Sequence, residues 1–150
     1  MPQAETQQFG TIDFDERDAV EFPLGLPAFE TERRFVLIRR DEVKPVVFLQ
    51  SLQDKSLCFV TLPVESLDPG YQPQISEEDW NLLGAESATD NERGFRRDLT
   101  MLAILSVTDS RPTANLLAPV VVHRATGKGV QAIRMDNAYS HQHPVGALCS

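Results

Sequence analysis

Apolar residues come in short bursts, broken every few positions by Pro, Gly or Asp. Phe35-Val36-Leu37-Ile38, Val46-Val47-Phe48-Leu49, Leu57-Cys58-Phe59-Val60 and Val120-Val121-Val122 are strand-sized. Their β-branched and aromatic side chains suit a pleated, half-buried surface. Along 98–108, Leu99, Met101, Ala103, Leu105 and Val107 alternate onto one face of a strand. They would also stripe a helix, but the β-branched Thr100, Ile104, Val107 and Thr108 favour the strand. A Gly127-Lys128-Gly129 turn between 120–124 and 130–135 predicts a hairpin. One helix is expected: Ser76 caps it and Asp79 stands three residues on, in capping-box position. Glu77 and Glu78 suit its positive start, Trp80, Leu82 and Leu83 follow, and Gly84 stops it. Residues 85–97 read as a loop. Many short strands with little helix point to an all-β barrel or sandwich.

A length of 150 residues suggests one domain over 1–150, with a loose tail at 140–150. Hydrophobic residues at 41% supply a core and exclude a disordered chain. No apolar run reaches about 18 residues, so no membrane helix is expected. The start, Met-Pro-Gln-Ala-Glu-Thr, has neither the basic nor the apolar region of a signal peptide. Cys58 sits in an apolar run and Cys149 is next to last, which suggests a reducing, cytoplasmic setting without disulfides.

Charge sharpens the picture. The net charge of −8 is uneven: residues 1–92 hold 19 acids and 7 bases (−12), residues 93–150 hold 3 acids and 7 bases (+4). Such a chain repels phosphate backbones, which disfavours direct nucleic-acid binding and favours a basic protein partner.

Motifs for chemistry are missing. There is no phosphate-binding Gly-rich loop, Gly-x-Ser-x-Gly, Cys-x-x-Cys or His-Glu-x-x-His. His141 and His143 share one side of an extended chain and His123 ends a strand, but their tail carries Pro144 and Gly146, so no metal or cofactor is expected. Asp13/Asp15 and Glu77/Glu78 are weak signals in so acidic a chain, and the apolar surroundings of Cys58 suit an inert thiol. The chain therefore reads as a binding protein rather than an enzyme. A small-molecule-binding β-barrel or minor enzyme is the alternative.

Three ordered patterns narrow this further. They are Phe22-Pro23-Leu24-Gly25-Leu26-Pro27-Ala28-Phe29-Glu30; Pro45 leading to Leu49-Gln50-Ser51-Leu52 and Leu57-Cys58-Phe59-Val60; and 113–122, Thr-Ala-Asn-Leu-Leu-Ala-Pro-Val-Val-Val, with Gln131 and Tyr139 downstream. Together they resemble the bacterial flagellar assembly factor FliW family from about residue 12 to 145. Ala28 stands where that family usually has Gly, His123 where Asn is common, and the 85–97 loop with Arg93, Arg96 and Arg97 is longer than usual. The resemblance implies a compact pseudo-barrel of short, mostly antiparallel strands with one or two short helices. It also implies two exclusive protein partners. These are newly made flagellin and, once flagellin has left, the translational repressor CsrA, whose antagonism lets flagellin synthesis resume.

Candidate contacts follow. Pro23, Gly25 and Pro27 impose a tight path that lets Leu24, Leu26 and Phe29 either plug a barrel end or form a partner groove. Glu30 can receive a basic residue or cap a turn. Gln50 and Ser51 can pair with a partner's backbone or with a neighbouring strand. Asn115 can meet a partner or close its own turn. Asp54, Asp68, Glu77, Glu78 and Asp79 are acidic-face candidates, with solvated surface as the alternative for each.

Overall fold

The protein's structure, a computed structural model, describes residues 2–26, 29–84, 99–108, 110–136 and 138–145. Alternation sorts the side chains of the two central strands, β4 (Arg34–Arg39) and β5 (Val47–Ser51). Phe35, Leu37, Val47 and Leu49 enter one cluster, while Val36 and Ile38 enter another on the opposite face. Burial on both faces explains why these runs are almost continuously apolar.

Seven strands close into a ring. From β3 (Ala19–Glu21) it runs through β4, β5, β6 (Cys58–Pro63), β7 (Leu99–Thr108), β9 (Val120–His123) and β10 (Lys128–Gln131), then back to β3. Every pairing is antiparallel except the last, where β10 meets β3 in parallel through the single pair Lys128↔Glu21. That seam is tied by the Glu21 N–H donating to the Gly127 carbonyl at 2.8 Å and by a Lys128–Glu21 ion pair at 2.7 Å. Phe22, Phe35, Leu49, Leu102 and Val120 fill the interior, with Phe22 edge-on to Phe35 at 5.4 Å.

The long strand β7 serves three neighbours in turn: Leu99–Leu102 pair with β9, Leu102–Ile104 with β6, and Leu105–Thr108 with β8 (Arg111–Ala114). Leu102 and Ile104 face the barrel interior, whereas Leu99, Met101, Ala103 and Leu105 pack outside it. The expected alternating face is therefore the outer one. Two short helices cover that surface, α1 (Val64–Leu67) and α2 (Glu77–Leu82), the second with Ser76 as its N-cap.

An N-terminal hairpin, β1 (Gln3–Thr6) with β2 (Gly10–Asp13), covers the outer face of β4 and β5. Ile12 meets Val36 and Ile38, and the Phe9 ring stands edge-on to Phe48 at 5.0 Å. Its sequence is polar apart from isolated Phe9, Ile12 and Phe14, so periodicity alone does not reveal it.

The 140–145 segment departs from the expected loose tail. β11 (His143–Pro144) pairs with β8, the Val145 N–H donates to the Pro112 carbonyl at 3.2 Å, and the Leu116 N–H donates to the Ser140 carbonyl at 3.1 Å. The chain leading there is held by Arg134, which is 8% exposed. Its guanidinium lies 5.3 Å from the Tyr71 ring and 4.9 Å from the Tyr139 ring, and grips Asp136 through two bonds of 2.9 and 2.8 Å. It also donates to the Gln72 carbonyl. Tyr139 donates to Asp68 at 2.6 Å. Asp68 is thus committed to the fold rather than to an acidic face. Residues 85–97 and Ala28 lie outside the described residues.

Candidate functional site

The loop between β3 and β4 is shaped by Gly25. Its φ is +69°, and a Cβ there would lie 2.5 Å from the Glu30 carbonyl oxygen. Glycine supplies both the left-handed conformation and the close approach. The Gly25 N–H donates to the Phe22 carbonyl at 2.9 Å, and the Phe29 N–H to the Leu26 carbonyl at 2.7 Å. Leu26 enters the barrel core, and Phe29 lies edge-on to Phe59 at 5.5 Å. Of the three expected plugs only Leu26 is buried: Phe29 is 37% exposed and Leu24 60%. The tight turn that sends Leu26 inward carries Leu24 outward.

α2 stands beside this loop. The Ser76 hydroxyl oxygen accepts the Asp79 N–H at 3.0 Å, so the helix begins where the capping pattern places it. Trp80 and Leu83 pack on Val121, Val130 and Ala132. At the other end Gly84 has φ +92°, and the Thr126 hydroxyl donates to the Leu83 carbonyl at 2.8 Å.

Between loop and helix runs a cleft of about 250 Å³. Leu24, Gly25 and Glu30 line one side, Asp79 and Leu82 the other, and Gly129, Val130 and Gln131 of β10 the floor. Gly129 has no room for a side chain, because a Cβ would stand 2.6 Å from a Phe22 ring carbon. Gln131 is anchored by its amide, which donates to the Ala118 carbonyl at 2.9 Å. Past the cleft, Ala132 and Arg134 turn inward while Ile133 and Met135 are exposed, at 56% and 92%. By alternation these two continue the Gln131 side of the chain. Among the described residues the cleft lining has two carboxylates and no cation. It offers apolar contact and negative charge, and no nucleophile–base pair.

The remaining candidates are scattered. Glu77 and Glu78 are exposed on the first turn of α2, beside Asp79. Gln50 and Ser51 are buried, and their side chains build the β5–β6 loop. The Gln50 amide donates to the carbonyls of Ser51 at 3.0 Å and Lys55 at 3.2 Å, and the Ser51 hydroxyl oxygen accepts the Asp54 N–H at 2.9 Å. Asp54 accepts from the Ser56 hydroxyl at 2.6 Å and from the Ser56 N–H, which hold its carboxyl below the usual range. Asn115 closes its own turn by accepting the Ala118 N–H at 3.0 Å. The cleft brings Glu30 together with Asp79, while Glu77 and Glu78 lie outside its lining; Gln50, Ser51 and Asp54 form a separate loop, and Asn115 a third place.

Among the described residues, no three His, Cys, Asp or Glu side chains are grouped to hold a metal. Cys58 is half-buried, and burial pushes its thiol up, away from the reactive thiolate. No described helix is long and apolar enough to cross a membrane.

Residues 3–145 match the FliW protein family. The chain belongs to the FliW family. Relatives carrying the name "Flagellar assembly factor FliW" include a Syntrophomonas wolfei protein, 33% identical over 91% of this chain and 83% of its own. A Bacillus licheniformis protein of the same name is 33% identical over 94% of each chain, and one from Bacillus subtilis 29% identical over 94% of each. A solved structure, described as the crystal structure of the flagellar assembly factor FliW, superposes with a TM-score of 0.78. It covers 95% of this chain and 96% of its own at 29% identity.

FliW membership and the barrel agree with the expected fold. Many motif residues that carried the FliW resemblance turn out to be scaffold. Phe22 and Leu26 fill the barrel, Gln50 and Ser51 hold a loop, and Asn115 and Gln131 lock the bend before β9. His123, where the FliW family commonly has Asn, is buried, and its Nδ1 accepts the Thr126 N–H at 3.1 Å. Ile133 and Met135 escaped sequence reasoning as surface residues, and Leu24, named for a barrel plug or a partner groove, is exposed. An apolar letter beside a strand reads as core, and only the turn geometry shows which way it faces.

Proposed function

We propose that this protein is a cytoplasmic flagellar assembly factor that works by binding other proteins and not by catalysis. It binds flagellin and, when flagellin is absent, binds CsrA and antagonises it, relieving repression of flagellin synthesis. The observation that carries this reading is the FliW family match over residues 3–145, supported by the shared fold. The cleft adds physical support, since its acidic, apolar lining suits a protein contact and offers no catalytic constellation.

The test uses purified flagellin and CsrA from the same genome. Each is expected to bind this protein, and added flagellin should displace CsrA. A CsrA–flagellin leader RNA complex should come apart when this protein is added and re-form when flagellin follows. Failure to bind either protein would refute the reading.

A further inference from the structure

We propose that the N-terminal hairpin, β1 with β2, is a lid that opens as a unit from the barrel and conceals an apolar face of β4 and β5 beneath it. The inference stands apart from the function proposed above and concerns a face that shares no residue with the cleft.

The manner of attachment carries it. β1 and β2 form a two-stranded sheet of their own, outside the nine-stranded sheet. Their hydrogen bonds stay within the hairpin: the Gln3 amide donates to Asp13 at 2.9 Å, the Thr6 hydroxyl to the Gly10 carbonyl at 2.9 Å, and the Phe14 N–H to the Pro2 carbonyl at 3.0 Å. Among the described residues, one backbone hydrogen bond leaves the hairpin for the barrel, from the Gln7 N–H to the Lys55 carbonyl at 3.0 Å. The rest is side-chain contact: Ile12 on Val36 and Ile38, Phe9 on Phe48, and the Arg40 guanidinium 5.4 Å from the Phe9 ring. Such contact is non-directional and can part without unzipping a ladder of the barrel. A groove of about 290 Å³ runs along the border, with Ile12, Phe14 and Asp15 on one bank and Ile38, Arg39 and Arg40 on the other, so the seam is not closed to solvent.

The barrel does not follow the hairpin. β4 is paired to β3 and β5, and β5 to β4 and β6, while Phe35, Leu37, Val47 and Leu49 hold the inner faces in the core. The hinge falls after Phe14. The Asp15 side chain accepts the Arg17 N–H at 2.9 Å and Asp18 pairs with Arg39 at 3.6 Å, which keeps the next turn on β4. A two-stranded hairpin is marginal on its own, so once lifted it loses its structure as one piece. Opening bares Val36 and Ile38, 0% and 8% exposed beneath the lid, beside Phe48 and Leu52. Contiguous apolar surface of that kind is adhesive, and the lid governs how much of it the molecule shows.

The experiment follows amide exchange by NMR on the parent protein in low urea. The ladder amides of 3–13 and the Gln7 amide should exchange together, roughly a hundredfold faster than those of Leu37 and Leu49 after correction for intrinsic rates, and with a weaker dependence on urea. Equal protection and equal urea dependence would mean that hairpin and barrel open only as one. A graded loss of protection along each strand would mean fraying. Either result overturns the proposal. Ile12→Asp, which sets a carboxylate against Val36 and Ile38, should hold the lid off. Fluorescence of an apolar-surface dye such as ANS should then rise severalfold while the cooperative thermal transition of the barrel remains. Val107→Asp, at a position 75% exposed and away from the lid, should leave the dye signal at the parent level. An Ile12→Asp protein that unfolds outright, or that stays folded without binding the dye, also overturns the proposal.

Discussion

Two glycines separate conformational strain from steric conflict. Gly10 and Gly25 share a left-handed φ, +66° and +69°, but nothing lies within 4 Å of a Cβ at Gly10, while one at Gly25 would lie 2.5 Å from backbone. Gly10→Ala should therefore cost about 1 kcal/mol, the strain alone. Gly25→Ala should cost roughly 3 kcal/mol or more, since the β3–β4 loop must also move. Urea unfolding of the two variants measures the difference; equal losses would mean that the loop gives way freely. The Tyr139–Asp68 bond is legible through protons. Asp68 is held below the usual carboxylate range, first by the Tyr139 hydroxyl and then by the Gly70 N–H, with burial opposing. Tyr139 is held above the usual phenol range by the same bond. A lowered acid stabilises above the ordinary value of about 4 and loses that effect as pH falls through its folded value. A raised phenol stabilises below about 10 and loses that effect as pH climbs through its folded value. Tyr139→Phe should let the Asp68 titration, followed by carboxyl NMR, move back up. An unmoved titration would assign the shift to other neighbours.

At the scale of elements, α2 is short and depends on its ends. Ser76→Ala removes the cap on Asp79 and should cost about 1 kcal/mol. Urea denaturation of the variant beside the parent measures that loss. This helix was legible because its start, its apolar turn and its stop are all local signals: Ser76, Trp80 and Gly84. β4, β5, β6, β7, β9 and the β9–β10 hairpin were legible for the same reason. The N-terminal hairpin was not, because its strands are specified by what they cover: Phe48, Val36 and Ile38 need a lid, and that need is written in β4 and β5 rather than in 3–13. The candidate site was legible only in part. Glu30 and the α2 acids could be named from charge, but Gln50, Ser51 and Asn115 carry side chains that bond equally well to a partner or to their own loops. Burial decides between those uses, and burial is a property of the folded chain.

For the molecule as a whole, charge governs what can approach. With a net charge of −8, the protein alone should not retard flagellin leader RNA in a gel shift. A salt-sensitive complex at micromolar concentration would contradict this. In the proposed function, antagonism of CsrA would then have to work through a protein–protein contact and not by competition for the RNA.

The parallel seam has a mechanical meaning. β3 is the first strand of the barrel and β10 the last to join the ring, and one residue pair, Lys128↔Glu21, closes them. The ring is therefore a bracelet whose clasp is its shortest pairing. The cleft lies across that clasp, since its lining comes from the loop leaving β3 and from β10 itself. A partner bound there only when the ring is closed would raise apparent stability by about 2.7 kcal/mol at a hundred times the dissociation constant. Amide exchange at Glu21 and Gly129 should slow more on partner binding than exchange in the β4–β5 ladder on the far side of the ring, so that the clasp itself reports when the cleft is filled.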